Sequence, residues 1–284
     1  ELHSHSKYAA LKVKDALVDQ FRDRFGKRPN VDVKNPDLRI HLHIAYDKVT
    51  LLLDSSGDSL HKRKYRFEKV QAPINEVLAA GMILLAGWKG DVPLADPMCG
   101  SGTFLIEACM IARNIPPQQV RKRFGFMNWV DYDPNLWHSI REEAREQQKP
   151  LKVPIEGSDV SSRAVLISEK NIAMARLSED ISVSRKDFFA SAAIHEKGLL
   201  IMNPPYDERM EVEDIIQMYK EIGDQLKQSW QGYQAWIISS NLDALKQVGL
   251  KASRRLHLFN GPLECKFFRF DLYAGSKKHT KPSD

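Results

Sequence analysis

The sequence predicts an α/β protein whose larger domain contains a doubly wound, mainly parallel sheet. From residue 74 onward, short apolar strands alternate with helical segments, which is the pattern of such a sheet. Two of these strands end in turns with unusual chemistry, Asp96–Thr103 and Asn203–Tyr206. Only Asn260–Leu263 separates the last two strands, so we expect a C-terminal antiparallel hairpin.

Residues 1–60 have the pattern of a partial α+β domain. Over 7–25, apolar residues recur every three or four positions and predict an amphipathic helix with an apolar face of Ala10, Val13, Leu17, Phe21 and Phe25. Over 38–46, alternation predicts a half-buried strand with Leu38, Ile40, Leu42 and Ile44 on one side, and a second strand over 49–53 completes a hairpin. One helix and one hairpin are too few for a whole domain, and the first residue is Glu1. We therefore expect the missing part to precede residue 1.

The predicted organisation is a domain over 1–60, a polar and basic linker over 61–72, a second domain over 73–275 and a disordered tail over 276–284. Helices are predicted at about 75–87, 103–112, after Pro134, from Ser161 or Ser162 to 177, at 211–228 and at 242–248. Strands are predicted at 92–95, 153–158, 181–185, 198–202, 233–239, 253–259 and 264–273. A polar, aromatic-containing insertion covers 114–131.

Composition excludes several classes of protein. The hydrophobic fraction of 43% and charged fraction of 28% are typical of a globular protein, and no apolar run is long enough to cross a membrane. Cys99, Cys109 and Cys265 form no Cys-x-x-Cys pair, which favours a reducing, cytoplasmic setting over disulfides or a metal site. His41 and His43 share one face of a strand without further ligands nearby, so we expect no metal.

The positive charge is concentrated in the first quarter of the chain. Residues 1–66 contain 14 Lys and Arg against 9 Asp and Glu, and therefore carry the whole net charge of +5. A basic appendage on a neutral body indicates a part that binds phosphate, although an ordinary solvated face would have the same composition.

The turn after the first strand of the second domain predicts a cofactor site. It reads Asp96-Pro97-Met98-Cys99-Gly100-Ser101-Gly102. No Lys follows Gly102, which excludes a P-loop, and Leu105 stands where a dinucleotide fingerprint needs its third glycine. An acidic residue ahead of the glycines suits an ammonium group instead of a pyrophosphate. S-adenosylmethionine has such a group.

Two further acidic residues follow the next two strands. Asp159 ends the second strand, where a carboxylate can accept both hydroxyls of a ribose. Asp187 follows the third strand, in position to contact an adenine amine, and Phe188 could pack on the ring. Each alone is more often a turn residue, but three acids at successive strand ends indicate one site.

Asn203-Pro204-Pro205-Tyr206 follows the fourth strand and predicts chemistry on an exocyclic amine. The Asn203 side-chain oxygen and the Pro204 carbonyl can each accept one N–H of the amine, while Pro204 and Pro205 stiffen the backbone. Tyr206 offers a flat face on which a base can stack. We predict that these four residues are catalytic.

The chain resembles a known family at five segments: Lys12–Asp19, Leu53–His61, Ala72–Ala80, Asp96–Thr103 and Asn203–Arg209. Residues 67–273 look like a Rossmann-like class I methyltransferase domain, and almost the whole chain resembles bacterial THUMP-domain guanine-N2 methyltransferases of large-subunit (23S) ribosomal RNA. The resemblance implies that residues 1–60 are the C-terminal part of a THUMP domain, an RNA-binding module.

The resemblance also implies roles for individual residues. Those that would bind S-adenosylmethionine are Pro73, Asn75, Glu76, Asp96, Met98, Cys99, Gly100, Ser101, Gly102, Asp159, Val160, Asp187, Phe188 and Asn203. Those that we expect to bind RNA are Lys7, Tyr8, Lys12, Lys14, Arg63, Lys64 and Arg66. The implied partner is ribosomal RNA of the large subunit or its assembly precursor, without membrane or metal; the oligomeric state cannot be read from the sequence.

Three alternatives remain open at this stage. Asn-Pro-Pro-Tyr suits any planar amine, so N6-adenine methylation or methylation of a protein glutamine amide would use the same residues. A non-catalytic RNA-binding or ribosome-assembly module would have the same basic N-terminal part. The insertion at 114–131, with Arg121–Phe124 and Trp129, either contacts RNA near the pocket or packs on the domain surface.

Overall fold

The computed structural model describes residues 6–68, 74–205 and 212–275. The predicted tail at 276–284 lies outside these residues, as do Pro73 and Tyr206. The chain divides into two compact units. Unit 1 comprises residues up to 60 together with 121–140, and unit 2 comprises 61–120 together with 141 onward.

Unit 1 is built on one helix and one hairpin, as predicted. Helix α1 spans Ser6–Phe25, and strands β1 (Arg39–Ala45) and β2 (Lys48–Asp54) pair antiparallel. Asp54 organises the turn after β2, because its carboxylate accepts hydrogen bonds from the Ser56 amide and hydroxyl and from the Gly57 amide. Burial by itself would raise the pKa of Asp54, but these hydrogen bonds outweigh it and lower that pKa to about 2.

The predicted burial of unit 1 is only partly correct. Val13 and Leu17 are half-buried, but Phe21 and Phe25 are 49% and 70% exposed, and the buried residues of α1 are Ala9 and Val18. The apolar side chains of the hairpin are also largely exposed. Amphipathic spacing identifies an apolar face, whereas its burial depends on a second layer, and the described residues of this unit supply little of one.

Residues 121–140 belong to unit 1, which the sequence did not predict. The segment 121–128 packs on the turn after β2: the Phe126 amide donates to the Ser55 carbonyl, and the Arg121 guanidinium donates to the Ser56 carbonyl. A 3₁₀ turn at Gly125–Asn128 follows, and helix α4 (Pro134–Glu146) begins in this unit. The segment 121–128 therefore packs within unit 1, and its contact with RNA stays a prediction.

Unit 2 has the predicted doubly wound architecture. Its described strands are β3 (Leu94–Asp96), β4 (Ile155–Asp159), β5 (Ile181–Arg185), β6 (Gly198–Met202), β7 (Tyr233–Ser239), β8 (Arg254–Asn260) and β9 (Leu263–Asp271). They form one sheet in the order β5-β4-β3-β6-β7-β9-β8. The first five are parallel, while β9 runs antiparallel to both β7 and β8, which confirms the C-terminal hairpin.

Two hydrophobic cores cover the faces of this sheet. The helices are α2 (Glu76–Leu85), α3 (Thr103–Ala112), α5 (Ser162–Ala175), α6 (Val212–Ser229) and α7 (Leu242–Gln247). One core joins α2, α3 and α5 to the sheet, and the other joins α6 and α7 to its other face. Ser161 caps α5 by accepting from the Ala164 amide, so the first of the two predicted caps is correct.

The segment predicted as a linker is partly an integral piece of unit 2. Arg63 and Tyr65 are buried, and both donate hydrogen bonds to the carboxylate of Glu107 on α3. The Phe67 amide donates to the Asn171 side chain of α5 at 2.8 Å. Residues 63–67 are therefore anchored to the helical layer, and only 69–72 of the predicted linker lie outside the described residues.

A close approach of α6 to the end of α7 yields a stability prediction. A Cβ on Gly223 would lie 1.8 Å from the Val248 carbonyl oxygen, whereas a Cβ on Gly81 of α2 would meet nothing within 4 Å. We expect Gly223→Ala to reduce the free energy of unfolding by about 1–3 kcal/mol through overpacking. We expect Gly81→Ala to raise it by up to about 1 kcal/mol, because alanine favours a helix. Urea unfolding of both variants measures this; equal effects would contradict the packing described.

Candidate active site

A cavity of about 920 Å³ opens at the edge of the sheet where the parallel strands end. Its wall is formed by the turns after β3, β4, β5 and β6, which is where open α/β sheets bind ligands. The predicted residues that line it are Asp96, Met98, Cys99, Gly100, Ser101, Asp159, Val160, Asp187, Phe188, Asn203, Pro204 and Pro205. The structure therefore brings most of the predicted site together.

The turn after β3 needs its glycines for conformational reasons. Gly100 and Gly102 have φ values of 53° and 76°, in the left-handed region that side chains disfavour. A Cβ on Gly102 would also lie 2.3 Å from the Ser168 hydroxyl oxygen. Gly102 itself lies outside the cavity wall, so it shapes the turn, and its direct contact with a cofactor stays a prediction.

Asp96 is a buried carboxylate at the base of the cavity. It is 1% exposed, and its Oδ1 accepts the Met98 amide at 3.2 Å. Burial raises the pKa of Asp96 well above its ordinary value, the Met98 amide opposes that effect, and the charge of Asp159 adds to it. Within the described residues Asp96 makes no ion pair, so a ligand that brings a positive charge would relieve its burial.

Asp159 and Asp187 are held by backbone amides. The two carboxylate oxygens of Asp159 accept the Gly100 amide at 3.0 Å and the Ser161 amide at 2.9 Å. A carboxylate has about four acceptor positions, so Asp159 can still receive hydroxyl groups from a ribose. Asp187 accepts the Phe189 amide at 3.0 Å and is exposed at the cavity.

Two aromatic rings follow Asp187. Phe188, the predicted partner of an adenine ring, is 2% exposed and stacks on Trp230, with 6.2 Å between the ring centroids. Phe189 also lines the cavity and is 37% exposed. The sequence pointed to Phe188 alone, although adjacent Phe residues gave the signal for both.

Asn203 directly follows the fully buried strand β6 and is one of the residues that line the cavity. Its side-chain Oδ1 is buried and has no hydrogen-bond donor among the described residues. A buried acceptor without a partner is costly, so this atom is suited to a ligand N–H. Pro204 and Pro205 share the cavity wall, and Tyr206 falls outside the described residues.

The residues at the N-terminal end of α2 make structural contacts within unit 2. Asn75 caps α2 by accepting the Val77 amide, and Glu76 is buried and paired with Arg66 at 2.7 Å. Neither lines the cavity, so their direct contact with a cofactor stays a prediction. Ile74, one residue before them, does line it.

Arg63 is buried and Arg66 is half-buried, and neither position fits the prediction that these residues bind RNA phosphates. Arg63 pairs with Glu107 at 3.2 Å, and Arg66 donates to Glu76, to the Ile74 carbonyl and to the Thr103 hydroxyl. Burial raises the pKa of Glu107, although the charge and hydrogen bond of Arg63 oppose this. Both guanidinium groups thus stabilise unit 2 from inside, and Lys64 between them is exposed.

The other residues predicted to bind RNA lie on α1 in unit 1. Lys7, Tyr8 and Lys12 are exposed, and the Lys12 ammonium lies 5.4 Å from the centroid of the Tyr8 ring. Lys14 pairs with Asp15 at 2.6 Å. Their binding of RNA stays a prediction.

The sequence missed the part of the site that the C-terminal hairpin contributes. Ser240 after β7, together with Asn260 and Leu263 at the hairpin tip, lines the cavity, and the Asn260 side chain accepts the Asn75 amide at 3.4 Å. The local sequence does not predict this contribution, because the residues of a hairpin turn do not indicate which part of the fold the turn contacts.

The described residues contain no group of three or more His, Cys, Asp or Glu that could hold a metal ion. Among the helices of the described residues, none has the length and hydropathy of a membrane span.

The fold and the site define a class of enzyme: an S-adenosylmethionine-dependent methyltransferase. The strand order, the glycine turn with its buried acid, and the carboxylates after β4 and β5 fit the cofactor's ammonium, ribose and adenine groups. A profile of the RMKL-like methyltransferase domain matches residues 63–269, and one of the THUMP domain matches 1–54. The chain belongs to the RMKL-like methyltransferase family and carries a THUMP domain at its N-terminus.

Similar proteins agree with this assignment. The chain is 40% identical to "Ribosomal RNA large subunit methyltransferase K/L" of Syntrophotalea carbinolica, with 95% of this chain and 39% of that protein aligned. It is 39% identical to "Putative RNA methyltransferase slr0064" of Synechocystis, over 95% of this chain and 71% of that protein. The chain thus spans about two fifths of the K/L relatives that it matches. The crystal structure of SMU.472 complexed with SAH superposes with a TM-score of 0.83 at 31% identity, covering 97% of this chain and 72% of that one.

We expect Asp96→Asn to weaken cofactor binding and to change how the free energy of unfolding depends on pH. Loss of the charged acceptor should weaken binding of S-adenosylmethionine about tenfold to a hundredfold. Because the folded-state pKa of Asp96 is raised, its contribution to stability is complete below about pH 4 and is lost as pH rises through the folded pKa. The ligand-free Asn variant lacks this loss, so its stability relative to wild type should increase with pH. Titration calorimetry measures cofactor binding, and urea unfolding from about pH 4 upward measures the difference in stability. A variant that binds the cofactor normally would contradict the assigned role.

The burial of Arg63 generates a second prediction for this region. Arg63→Met leaves the buried Glu107 carboxylate without its guanidinium, and we expect a loss of about 3 kcal/mol in the free energy of unfolding. Adding Glu107→Gln should recover much of that loss. Lys64→Met, at an exposed position, is the matched control and should unfold like wild type. If Arg63→Met unfolded like wild type but bound RNA weakly, the original RNA-binding prediction would be correct after all.

Proposed function

We propose that the chain transfers a methyl group from S-adenosylmethionine to the exocyclic N2 amine of a guanine in large-subunit (23S) ribosomal RNA. The observation that carries the proposal is the buried, unpartnered Oδ1 of Asn203 at the cavity that also contains the cofactor residues. The names of the K/L relatives support ribosomal RNA as the substrate. The choice of N2 rests on the family resemblance of the whole chain.

The residues of the site can activate an amine by position alone. The lone pair of an exocyclic amine is delocalised into the base, so the amine must be held with its two N–H groups fixed. Asn203 Oδ1 and the Pro204 carbonyl each accept one N–H, which directs the nitrogen lone pair at the cofactor side of the cavity. When bound, S-adenosylmethionine supplies a methyl group on a sulfonium that leaves readily. No general base is needed to form the bond, because the proton can be lost to water after transfer.

The THUMP domain and the charge distribution support RNA as the partner. The net charge of +5 lies in residues 1–66, and the exposed Lys7, Lys12 and Lys64 are available to phosphates. A target base within folded RNA must leave its stack to reach a cavity at a strand edge. We propose that the partner is ribosomal RNA and that the chain acts in the cytoplasm. A protein glutamine amide would not use this positive charge.

N6-adenine methylation would use the same acceptors, because Asn203 and Pro204 recognise a planar amine rather than a particular base. Nucleoside analysis separates the two reactions. We propose mass-spectrometric mapping of 23S ribosomal RNA from cells with and without the intact gene, complemented by wild type or Asn203→Ala. The expected result is an N2-methylguanosine that disappears with the gene and returns only with wild type. N6-methyladenosine in its place would overturn the choice of base, and an unchanged map would overturn the function.

Tyr206 should act on the substrate and not on the cofactor. We expect Tyr206→Ala to lower the rate of methyl transfer about tenfold to a hundredfold, because stacking contributes roughly 1–3 kcal/mol per base. Binding of S-adenosylmethionine should be unchanged, and Tyr206→Phe should retain most of the rate. Single-turnover rates and titration calorimetry test this. Loss of cofactor binding with intact RNA affinity would show that the residue has been assigned to the wrong ligand.

A further inference from the structure

One face of the β8–β9 hairpin carries an exposed aromatic and basic patch beside the active site. Directly paired residues of antiparallel strands share a face, and the pairs here are Arg255 with Phe268, His257 with Lys266, and Phe259 with Glu264. Phe268 is buried, whereas Phe259, His257 and Glu264 nearer the hairpin tip are exposed and Lys266 is half-buried. We define the hairpin patch as Arg255, His257, Phe259, Glu264 and Lys266.

The aromatic part of the patch is a ring pair open to solvent. Phe259 is 60% exposed, and the His257 ring lies 5.1 Å from it at an angle of 38°. β8 is the edge strand of the sheet, so no further strand flanks this pair in the described residues. An exposed apolar ring at a sheet edge contributes little to the core, and it offers a flat surface to a stacking partner.

The charged part of the patch is positive on balance. Glu264, the residue paired with Phe259, accepts hydrogen bonds from His257 at 2.7 Å and from Lys266 at 2.9 Å. Arg255 lies with its guanidinium carbon 5.3 Å from the centroid of the Phe268 ring, and it makes no hydrogen bond or ion pair with any described residue. The patch therefore contains two cations and a histidine but only one carboxylate. The Arg255 donors remain available to an anion.

The patch adjoins the active-site cavity at the hairpin tip. Asn260 and Leu263, the next residues toward the tip on each strand, line the cavity, as does Ser240. Because successive strand residues point to opposite faces, the patch and the cavity lie on either side of the tip. The carboxyl end of β8 lies at the same edge as the turns after β3 to β6, and a strand of RNA that inserts one base into the cavity would pass around this tip to the patch.

We propose that the hairpin patch binds the nucleotide adjacent to the methylated one. Its base stacks on Phe259, and its phosphate is contacted by Arg255 and Lys266. Aromatic rings flanked by cations are the common solution for single-stranded RNA, because every base has a face that can stack. This inference rests on the proposed function and adds to it a second point of substrate contact, outside the cavity. A second copy of the chain pairing along β8 is a weaker fit, because charged residues on an edge strand, here Arg254 and Arg255, disfavour edge-to-edge pairing.

The test uses the full-length protein with bound S-adenosylhomocysteine and two probes, unmodified 23S ribosomal RNA and a single-stranded oligoadenylate. The variants are Phe259→Ala, Phe259→Tyr and Arg255→Gln. The matched control is Tyr273→Ala, which removes a ring that is 49% exposed. Tyr273 follows β9, at the end of the hairpin farthest from its tip. Fluorescence anisotropy gives the RNA affinity, and titration calorimetry gives the cofactor affinity.

We expect Phe259→Ala to weaken binding of both probes about tenfold and Phe259→Tyr to restore it, with cofactor affinity unchanged. The KM for ribosomal RNA should rise by a similar factor while kcat changes little. Arg255→Gln should weaken binding and reduce its salt dependence, and Tyr273→Ala should behave like wild type. An abasic oligomer should bind wild type and Phe259→Ala equally, because it has no base to stack.

Three results would overturn the inference. Phe259→Ala with wild-type RNA affinity would exclude a stacking role, while ribosomal RNA methylation by that variant would leave the proposed function intact. A change of oligomeric state in gel filtration without a change of RNA affinity would identify the patch as a contact between copies. Equal loss with the abasic oligomer would show that Phe259 supports the fold of the hairpin and not a base. Failure of wild type to methylate any RNA would instead refute the proposed function.

Discussion

The site depends on one constraint, which is the parallel register of the short central strand β3 with β4 and β6. β3 contains only Leu94–Asp96, all buried, and Asp96 is paired with Gly157 in β4. Because these strands run in the same direction, their following turns emerge at one edge, and Asp96, Asp159 and Asn203 meet although more than a hundred residues separate the first from the last. A shift of β3 by one residue would turn the Asp96 side chain to the other face of the sheet.

The same register explains why the turn after β3 cannot relax. The Cys99 amide donates to the Ser158 carbonyl and the Gly100 amide donates to Asp159, so the turn is fastened to β4 at two points. Gly157 adds a steric limit, since a Cβ there would lie 2.3 Å from the Leu105 side chain. Asp159 and the glycine turn are therefore held together by a direct hydrogen bond. The burial of Asp96 disfavours the charged form of the carboxyl and raises its pKa.

Much of this could be predicted from sequence because the signals are local. Apolar runs predicted strands such as Gly198–Met202 and Tyr233–Ser239. The positions of Asp159 and Asp187 after strands predicted that both residues lie at the site. Other features depend on distant partners. Arg63 looked like part of a solvated basic run, because its partner Glu107 is 44 residues away. The hairpin tip joins the cavity only because β9 lies between β7 and β8, an order that hydrophobic spacing does not contain. The exposed apolar faces of α1 and the β1–β2 hairpin are a further example, since the spacing that predicts an apolar face does not identify the element that packs on it.

If the turns after β3, β4, β5 and β6 form a single site for S-adenosylmethionine, the chain should also bind S-adenosylhomocysteine there. Titration calorimetry on wild type and on Asp159→Ala tests this. We expect one molecule bound per wild-type chain and binding at least about tenfold weaker in the variant, because a charged acceptor proposed for the ribose is lost. Absence of binding to wild type, or equal affinity in the two proteins, would show that these turns do not form that site.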